Sequence, residues 1–421
     1  MRKIKRIDVH MKPKRILFLF SFIIRTAAYF ARKKEKATIK KIGKMPKPPY
    51  ILLSNHSSFM DIYLGLGATS PRRSYWVCAA EEFIDKYFVC VHSGIMPKRR
   101  FVNDPRSLIS MADALKKKKK IMVMYPEAVY SFVGKPLRID EGLGKLVKYM
   151  NVPVVFLNCK GSYLRQPQWS DQVVRNVPII SEMECIIPKS EIEGLSAEDI
   201  QKTIRNCFNS DEEEYQLQNH IKIDYPNRAE GLERILYQCP HCGKEFHMSS
   251  KGDTLSCDEC GTDYRLNEDG TLSCLNGEAK FTKISSWFEW EKSNVEKEVR
   301  DGTYHFEDDI RMEKMEGVKI GFVPLEGEHR LTHDIDNGII VKGPSGIVFR
   351  REPLQSFGLH IDYNWKGKGG LIDLSSPDET YFAYPLHKEK WLTKIRFAVE
   401  AIYDLKKEEI KKLRPIFLES A

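Results

Sequence analysis

His56 and Asp61 stand five positions apart in Asn55-His56-Ser57-Ser58-Phe59-Met60-Asp61, directly after the apolar run Tyr50-Ile51-Leu52-Leu53. An imidazole titrates near neutrality and can take a proton from an attacking hydroxyl. A carboxylate on its far nitrogen fixes the tautomer and stabilises the cation that forms. On one continuous helix the two side chains would lie about 140° apart around the axis. A strand, a turn and a helix start capped by Ser57 or Ser58 instead let His56 fold back onto Asp61 in the first turn. The second constellation is sulfur. Cys239-Pro240-His241-Cys242-Gly243 and Cys257-Asp258-Glu259-Cys260-Gly261 are two Cys-x2-Cys turns with fourteen residues between them. Each turn aims two thiolates at one tetrahedral ion, and the following glycine permits the tight backbone. Four thiolates leave no coordination position open for catalysis, so the spacing predicts a structural Zn²⁺ on Cys239, Cys242, Cys257 and Cys260.

The elements that must position these groups are legible as short apolar runs. Tyr75-Trp76-Val77-Cys78, Phe88-Val89-Cys90-Val91, Ile121-Met122-Val123-Met124 and Val154-Val155-Phe156-Leu157 read as strands of a covered sheet. Asp104-Pro105 opens a helix that presents Leu108, Met111, Ala112 and Leu115 and ends in the run Lys116 to Lys120, whose charge complements a helix C-terminus. Leu143, Leu146, Val147 and Met150 mark another helix. Together these predict an α/β layer architecture, a sheet flanked by helices. Further along, Ser196 to Cys207 and Arg228 to Tyr237 read as helices, and Asp211 to Glu214 as a solvated acidic connector. Residues 276 to 386 alternate apolar and polar positions between turn signals such as Asp336-Asn337-Gly338, which predicts an antiparallel sheet. A helix from about His387, with Trp391, Ile395, Ala398, Ile402 and Leu405 on one face, closes the chain. Strands followed by one amphipathic helix suggest a small β-rich, pleckstrin-homology-like domain.

The chain has 421 residues, room for two or three domains, and 42% hydrophobic content, ordinary for a globular protein. Residues 1 to 50 hold sixteen Lys or Arg against Asp8 and Glu35, a local net of +14, while the whole chain carries +9. The remainder therefore sums to −5, and a nucleic-acid groove across the folded body is not expected. Inside the basic arm lie Ile16 to Ile24 and Thr26 to Ala31, separated by Arg25. A spanning helix needs about twenty predominantly apolar residues. This segment is shorter and interrupted by a charge, so it reads as lying in a membrane interface with its basic flanks on anionic head groups, a buried core helix being the alternative. The ten cysteines, with no secretory leader in view, predict reduced thiols and a location on the cytoplasmic face of a membrane.

Three further blocks follow the histidine in order: Gly94-Ile95-Met96-Pro97-Lys98-Arg99-Arg100, then Tyr125-Pro126-Glu127-Ala128-Val129-Tyr130-Ser131, then Val152-Pro153-Val154-Val155. With Asn55, His56 and Asp61 as Asn-His-x4-Asp, they resemble the four motifs of the glycerolipid acyltransferases, the 1-acylglycerol-3-phosphate acyltransferase family, over residues 45 to 185. The resemblance implies that His56 is the general base and Asp61 its orienter, with no covalent intermediate. It further implies that Asn55, Lys98, Arg99, Arg100 and Glu127 serve substrate binding, Arg100 falling on the arginine associated with the acceptor phosphate. The third block departs from the usual Pro-Glu-Gly-Thr-Arg-Ser. Ala128 resists the positive φ that glycine accepts, and Tyr130 cannot supply a bidentate charge.

The expected organisation is a membrane-associating arm over residues 1–44, an acyltransferase domain over 45–225, a zinc ribbon over 226–275 and a β-rich domain over 276–421. The expected function is transfer of a fatty acyl group from acyl-CoA or acyl carrier protein to a lysophospholipid such as 1-acylglycerol-3-phosphate, with membrane lipids as partners and no nucleic acid. The alternatives are a catalytically altered membrane adaptor and a hydrolase that uses the same histidine on acyl thioesters or esters.

Overall fold

The structure, a computed structural model, describes residues 7–171, 173–387 and 389–419. The first helix, α1 (Phe18–Lys34), is followed by an edge strand β1 (Thr38–Ile42) and the central strand β2 (Ile51–Ser54). Every residue of β2 is buried, as an apolar run covered on both faces must be. Next come α2 (Met60–Thr69), β3 (Ser74–Ala79), α3 (Tyr87–His92), β4 (Ile95–Lys98), α4 (Arg106–Ala112), β5 (Ile121–Met124) and α5 (Leu143–Met150). The layer is completed by β6 (Val154–Lys160), α6 (Ser162–Arg165), β7 (Ile180–Ile187), α7 (Lys189–Ile192), α8 (Ala197–Cys207) and α9 (Glu212–Gln218).

The seven strands form one sheet in the order β1-β7-β6-β2-β5-β3-β4. β2 runs parallel to β5 and β6, and β3 parallel to β4 and β5, while β7 is antiparallel to β6. The α/β layer expected from the sequence is present. The loops leaving β2, β5 and β6 consequently emerge side by side at one end of adjacent parallel strands, where open α/β sheets gather their functional side chains. Phe88 to Val91, expected as a strand, lies instead in the helix α3, with Cys90 and Val91 buried and Phe88 and Val89 exposed. A four-residue apolar run carries no period that separates the two states, and here only half of it is covered. α8 opens with Ser196 and Asp199 bonded reciprocally as a capping box, as its sequence predicts.

A four-stranded antiparallel sheet, β8 (Met248–Lys251), β9 (Thr254–Cys257), β10 (Asp263–Leu266) and β11 (Leu272–Cys274), follows. The helix expected over Arg228 to Tyr237 reduces to one 3-10 turn, Leu232–Arg234. It starts at Gly231, whose φ of +90° and contact with the Trp169 carbonyl forbid a side chain and a continuous helix.

A helix unforeseen from the sequence, α10 (Ile284–Arg300), comes next, burying Trp287, Phe288, Glu291, Val295 and Val299. The antiparallel sheet expected over 276 to 386 therefore begins only at β12 (His305–Gly317). It continues through β13 (Gly321–Pro324), β14 (His329–Asp334), β15 (Gly338–Gly343), β16 (Gly346–Arg351), β17 (His360–Asp362), β18 (Leu371–Ser375) and β19 (Thr380–Pro385). The order is β16-β15-β14-β12-β19-β18-β17, with β13 also on β12, and α11 (Leu392–Glu419) packs beside α10. Two packed helices, α10 and α11, accompany the eight-stranded sheet, where the alternation predicted strands followed by one helix.

One continuous core joins the sections. It contains Val129, Phe132 and Val133 from the loop after β5, Cys239, Met248 and Tyr264 from the four-stranded sheet, and Trp287, Leu331, Phe382's neighbour Ala383 and Phe397 from the C-terminal part.

Candidate active site

His56 leaves the carboxyl end of β2, and the chain turns through Ser57 and Ser58 into α2, where Asp61 occupies the first turn. Asp61 Oδ2 faces back toward the turn. It accepts the backbone N–H groups of Ser57 at 2.6 Å and Ser58 at 2.9 Å, and it lies 3.1 Å from His56 Nδ1. Its other oxygen, Oδ1, accepts the hydroxyl of Ser162 at 2.5 Å from the start of α6. Asp61 is fully buried and His56 retains 14% exposure. An acceptor-only carboxylate opposite Nδ1 holds the proton on that nitrogen, so the lone pair resides on Nε2. Nε2 has no hydrogen-bond partner among the described residues.

The histidine backbone is held as firmly as its ring. Glu127, after β5, takes the His56 N–H with Oε2 at 2.8 Å and the Leu137 N–H with Oε1 at 2.7 Å, while Ser131 N–H donates to the His56 carbonyl at 2.8 Å. Burial pushes the Glu127 carboxyl up to about 8, against the two backbone donors that favour its charge. Tyr125 stacks on the imidazole with centroids 4.1 Å apart, and its hydroxyl donates to the Asp61 carbonyl at 2.8 Å. Tyr130 lies over the ring at 4.4 Å. Ala128 adopts φ +62°, the conformation its missing glycine would take without strain, and Val129 beside it points into the shared core.

The remaining residues expected to bind substrate are occupied. Asn55 mimics a strand partner, donating to the Cys159 carbonyl at 2.9 Å and accepting the Cys159 N–H at 2.8 Å. Lys98 Nζ donates to the Val102 carbonyl at 3.1 Å. Arg99 reaches across to the β18–β19 connection, donating to the carbonyls of Pro377 at 2.5 Å and Asp378 at 2.7 Å and to Thr380 Oγ1 at 3.2 Å. Arg100 pairs with Glu81 and lies 3.8 Å from Asp373. Both acids are buried, and a guanidinium between them lowers the cost of their charge.

Ser162, Tyr125 and Glu212 belong to the same network and were not singled out in the sequence. The acidic stretch read as a solvated connector is the start of α9. Glu212 is buried there and accepts the Gly161 N–H at 2.7 Å, next to Ser162. Gly161 has φ +83° and no space for a Cβ against the Pro178 carbonyl. No single-residue signal marks Ser162, whose partner is 101 positions away.

The four sulfurs come together as expected. All lie within 4.8 Å of one another, with Cys239 and Cys260 at 3.7 Å and Cys242 and Cys257 at 3.8 Å. A tetrahedral ion with sulfur at about 2.3 Å requires edges of about 3.8 Å. Gly243 and Gly261 adopt φ +75° and +69° and donate their N–H groups back to Cys239 and Cys257. The cluster could hold a metal ion.

Residues 31–160, which run from the last turn of α1 to the end of β6 and hold the dyad, match the family model described as Acyltransferase. The chain carries an acyltransferase domain. It is also similar to the crystal structure of the 1-acyl-sn-glycerophosphate (LPA) acyltransferase PlsC from Thermotoga maritima, at 18% identity and a TM-score of 0.35, over 45% of this chain and 76% of that one. No curated protein matches the chain.

Proposed function

We propose that this protein transfers a fatty acyl group from a thioester, acyl-CoA or acyl carrier protein, to the hydroxyl of a lysolipid at a membrane surface. The observation that carries this is the oriented imidazole: Nδ1 is committed to Asp61 while Nε2 has no partner among the described residues. In the proposed reaction Nε2 takes the hydroxyl proton as the acceptor oxygen attacks the thioester carbonyl. The carbonyl oxygen gains the negative charge. Collapse breaks the carbon–sulfur bond, and the departing thiolate takes the proton back from the imidazolium, which Asp61 stabilises meanwhile.

Membrane placement is supported by α1. It packs on α2 through Ala28 and the inward-turned Arg25, which donates to the Leu66 carbonyl at 2.9 Å, and leaves Phe18, Leu19, Phe22 and Phe30 more than half exposed. No helix among the described residues is long and apolar enough to cross a membrane, and an aromatic face with basic flanks suits the interface. α2, on which α1 packs, begins beside the dyad. Zinc is the ion we propose for the four thiolates, in a structural role.

His56→Ala in the full chain is expected to lower acyl transfer by at least about 10²-fold, the scale of a lost general base, without releasing the protein from vesicles. Undiminished transfer by the folded variant would remove His56 from the chemistry. Thioester consumption indifferent to added lysolipid would point to hydrolysis instead.

A further inference from the structure

The cations that the second motif brings toward the acceptor are engaged within the protein. Arg99 donates to three oxygens of the β18–β19 connection, Arg100 lies between the buried Glu81 and Asp373, and Lys98 holds the Val102 carbonyl. Glu81, His360 and Asp373 also have the spacing of a cation site. The Arg100 guanidinium already supplies positive charge there, and the Arg351 charge also acts on Asp373. A phosphomonoester brought to this end of the sheet would have to draw a guanidinium away from two buried carboxylates, leaving them uncompensated.

Tyr130 stands where the third motif would carry an arginine. Its ring lies 4.4 Å from the His56 ring, and its hydroxyl has no hydrogen-bond partner among the described residues. Burial and the Asp61 charge both raise its pKa, so the hydroxyl stays a neutral donor at working pH. A phenol beside the base can bond a neutral oxygen, but it cannot balance a dianion.

We propose that Tyr130 recognises the acceptor, and that the acceptor is an uncharged glycerolipid alcohol rather than a phosphomonoester. The proposal rests on the acyl-transfer reading above and narrows its substrate. Arg99 and Arg100 become fasteners between the catalytic sheet and the C-terminal sheet.

The test compares a monoacylglycerol with the same lipid bearing a 3-phosphate, both in mixed micelles with one acyl-CoA donor, using the full chain. The wild type should favour the neutral acceptor in kcat/KM. Tyr130→Phe should lower kcat/KM for the neutral acceptor by about tenfold, the scale of one lost hydrogen bond, while Tyr130→Arg should raise the phosphorylated-to-neutral ratio by about tenfold or more. Arg99→Ala should lower the melting temperature and leave that ratio where it was. A wild type that prefers the phosphorylated acceptor, with Tyr130→Phe indistinguishable from it, overturns the proposal and leaves the His56 chemistry standing. A phosphate preference lost with Arg99→Ala overturns it as well. Absence of transfer to either acceptor overturns both the proposal and the reading beneath it.

Discussion

Asp61 Oδ2 receives two backbone N–H groups and the imidazole, and Oδ1 receives one hydroxyl, from Ser162. That hydroxyl is the sole contact on Oδ1 among the described residues, and it comes from a different strand connection. Removing it leaves a buried carboxylate oxygen unsatisfied, at a cost of about 1–3 kcal/mol. It also concentrates the carboxylate's charge on the imidazole side. Ser162→Ala is therefore expected to reduce kcat while KM changes little, and to move the acid limb of the kcat/KM profile upward, since a more basic partner stabilises the imidazolium. A stability loss without any movement of the pH profile would make Ser162 merely structural.

At the scale of elements, α9 is the segment whose environment most departs from its composition. Four acidic residues in a row, Asp211 to Glu214, satisfy the usual description of a solvated face. In the fold, Asp211 caps the helix and Glu212 and Glu213 turn inward, Glu212 onto Gly161 and Glu213 onto the Ser285 N–H at the start of α10. Burial lifts the Glu212 carboxyl to about 8 from an ordinary 4.5, with Asp61 adding to the rise. Between those two values the folded state holds a proton that the unfolded chain has released, so stability falls as pH rises through that window. Glu212→Gln keeps the acceptor for Gly161 and removes the charge. Urea unfolding midpoints from pH 5 to pH 8 should decline less steeply in Glu212→Gln than in the wild type. Identical slopes would mean that the carboxylate is compensated in the fold. α10, by contrast, was missed although a short-range signal was present: Trp287, Glu291, Val295 and Val299 recur every four residues, the spacing of one helical face.

Across the whole molecule, the loop carrying Glu127 and Tyr130 is braced by parts of the chain far away in sequence. Phe132 lies 6.2 Å from Phe288 of α10 and 6.1 Å from Tyr363, with Arg396 of α11 over its face at 4.7 Å. Cys239 and Cys257 belong to that same core. Metal on the four thiolates would therefore stabilise the acyltransferase site without touching it. Purified protein is expected to contain about one zinc per chain, and removing it with a chelator should lower the melting temperature and the acyl-transfer rate together. Metal-free protein with an unchanged melting temperature would sever that link.

The sequence alone determined the local constellations. His56 meets Asp61 because a strand exit, a two-serine turn and a helix start lie within seven residues, and each Cys-x2-Cys turn closes through its own following glycine. The parallel layer was likewise written in apolar runs whose period and punctuation are short-range. Only the tertiary structure decided what became of Lys98, Arg99, Arg100, Glu127 and Glu212. A charged side chain is fixed by whichever opposite charge or backbone group the fold delivers, and for Glu127 and Arg99 those partners stand 71 and up to 281 positions away. Contacts over that distance leave no period or spacing in the chain.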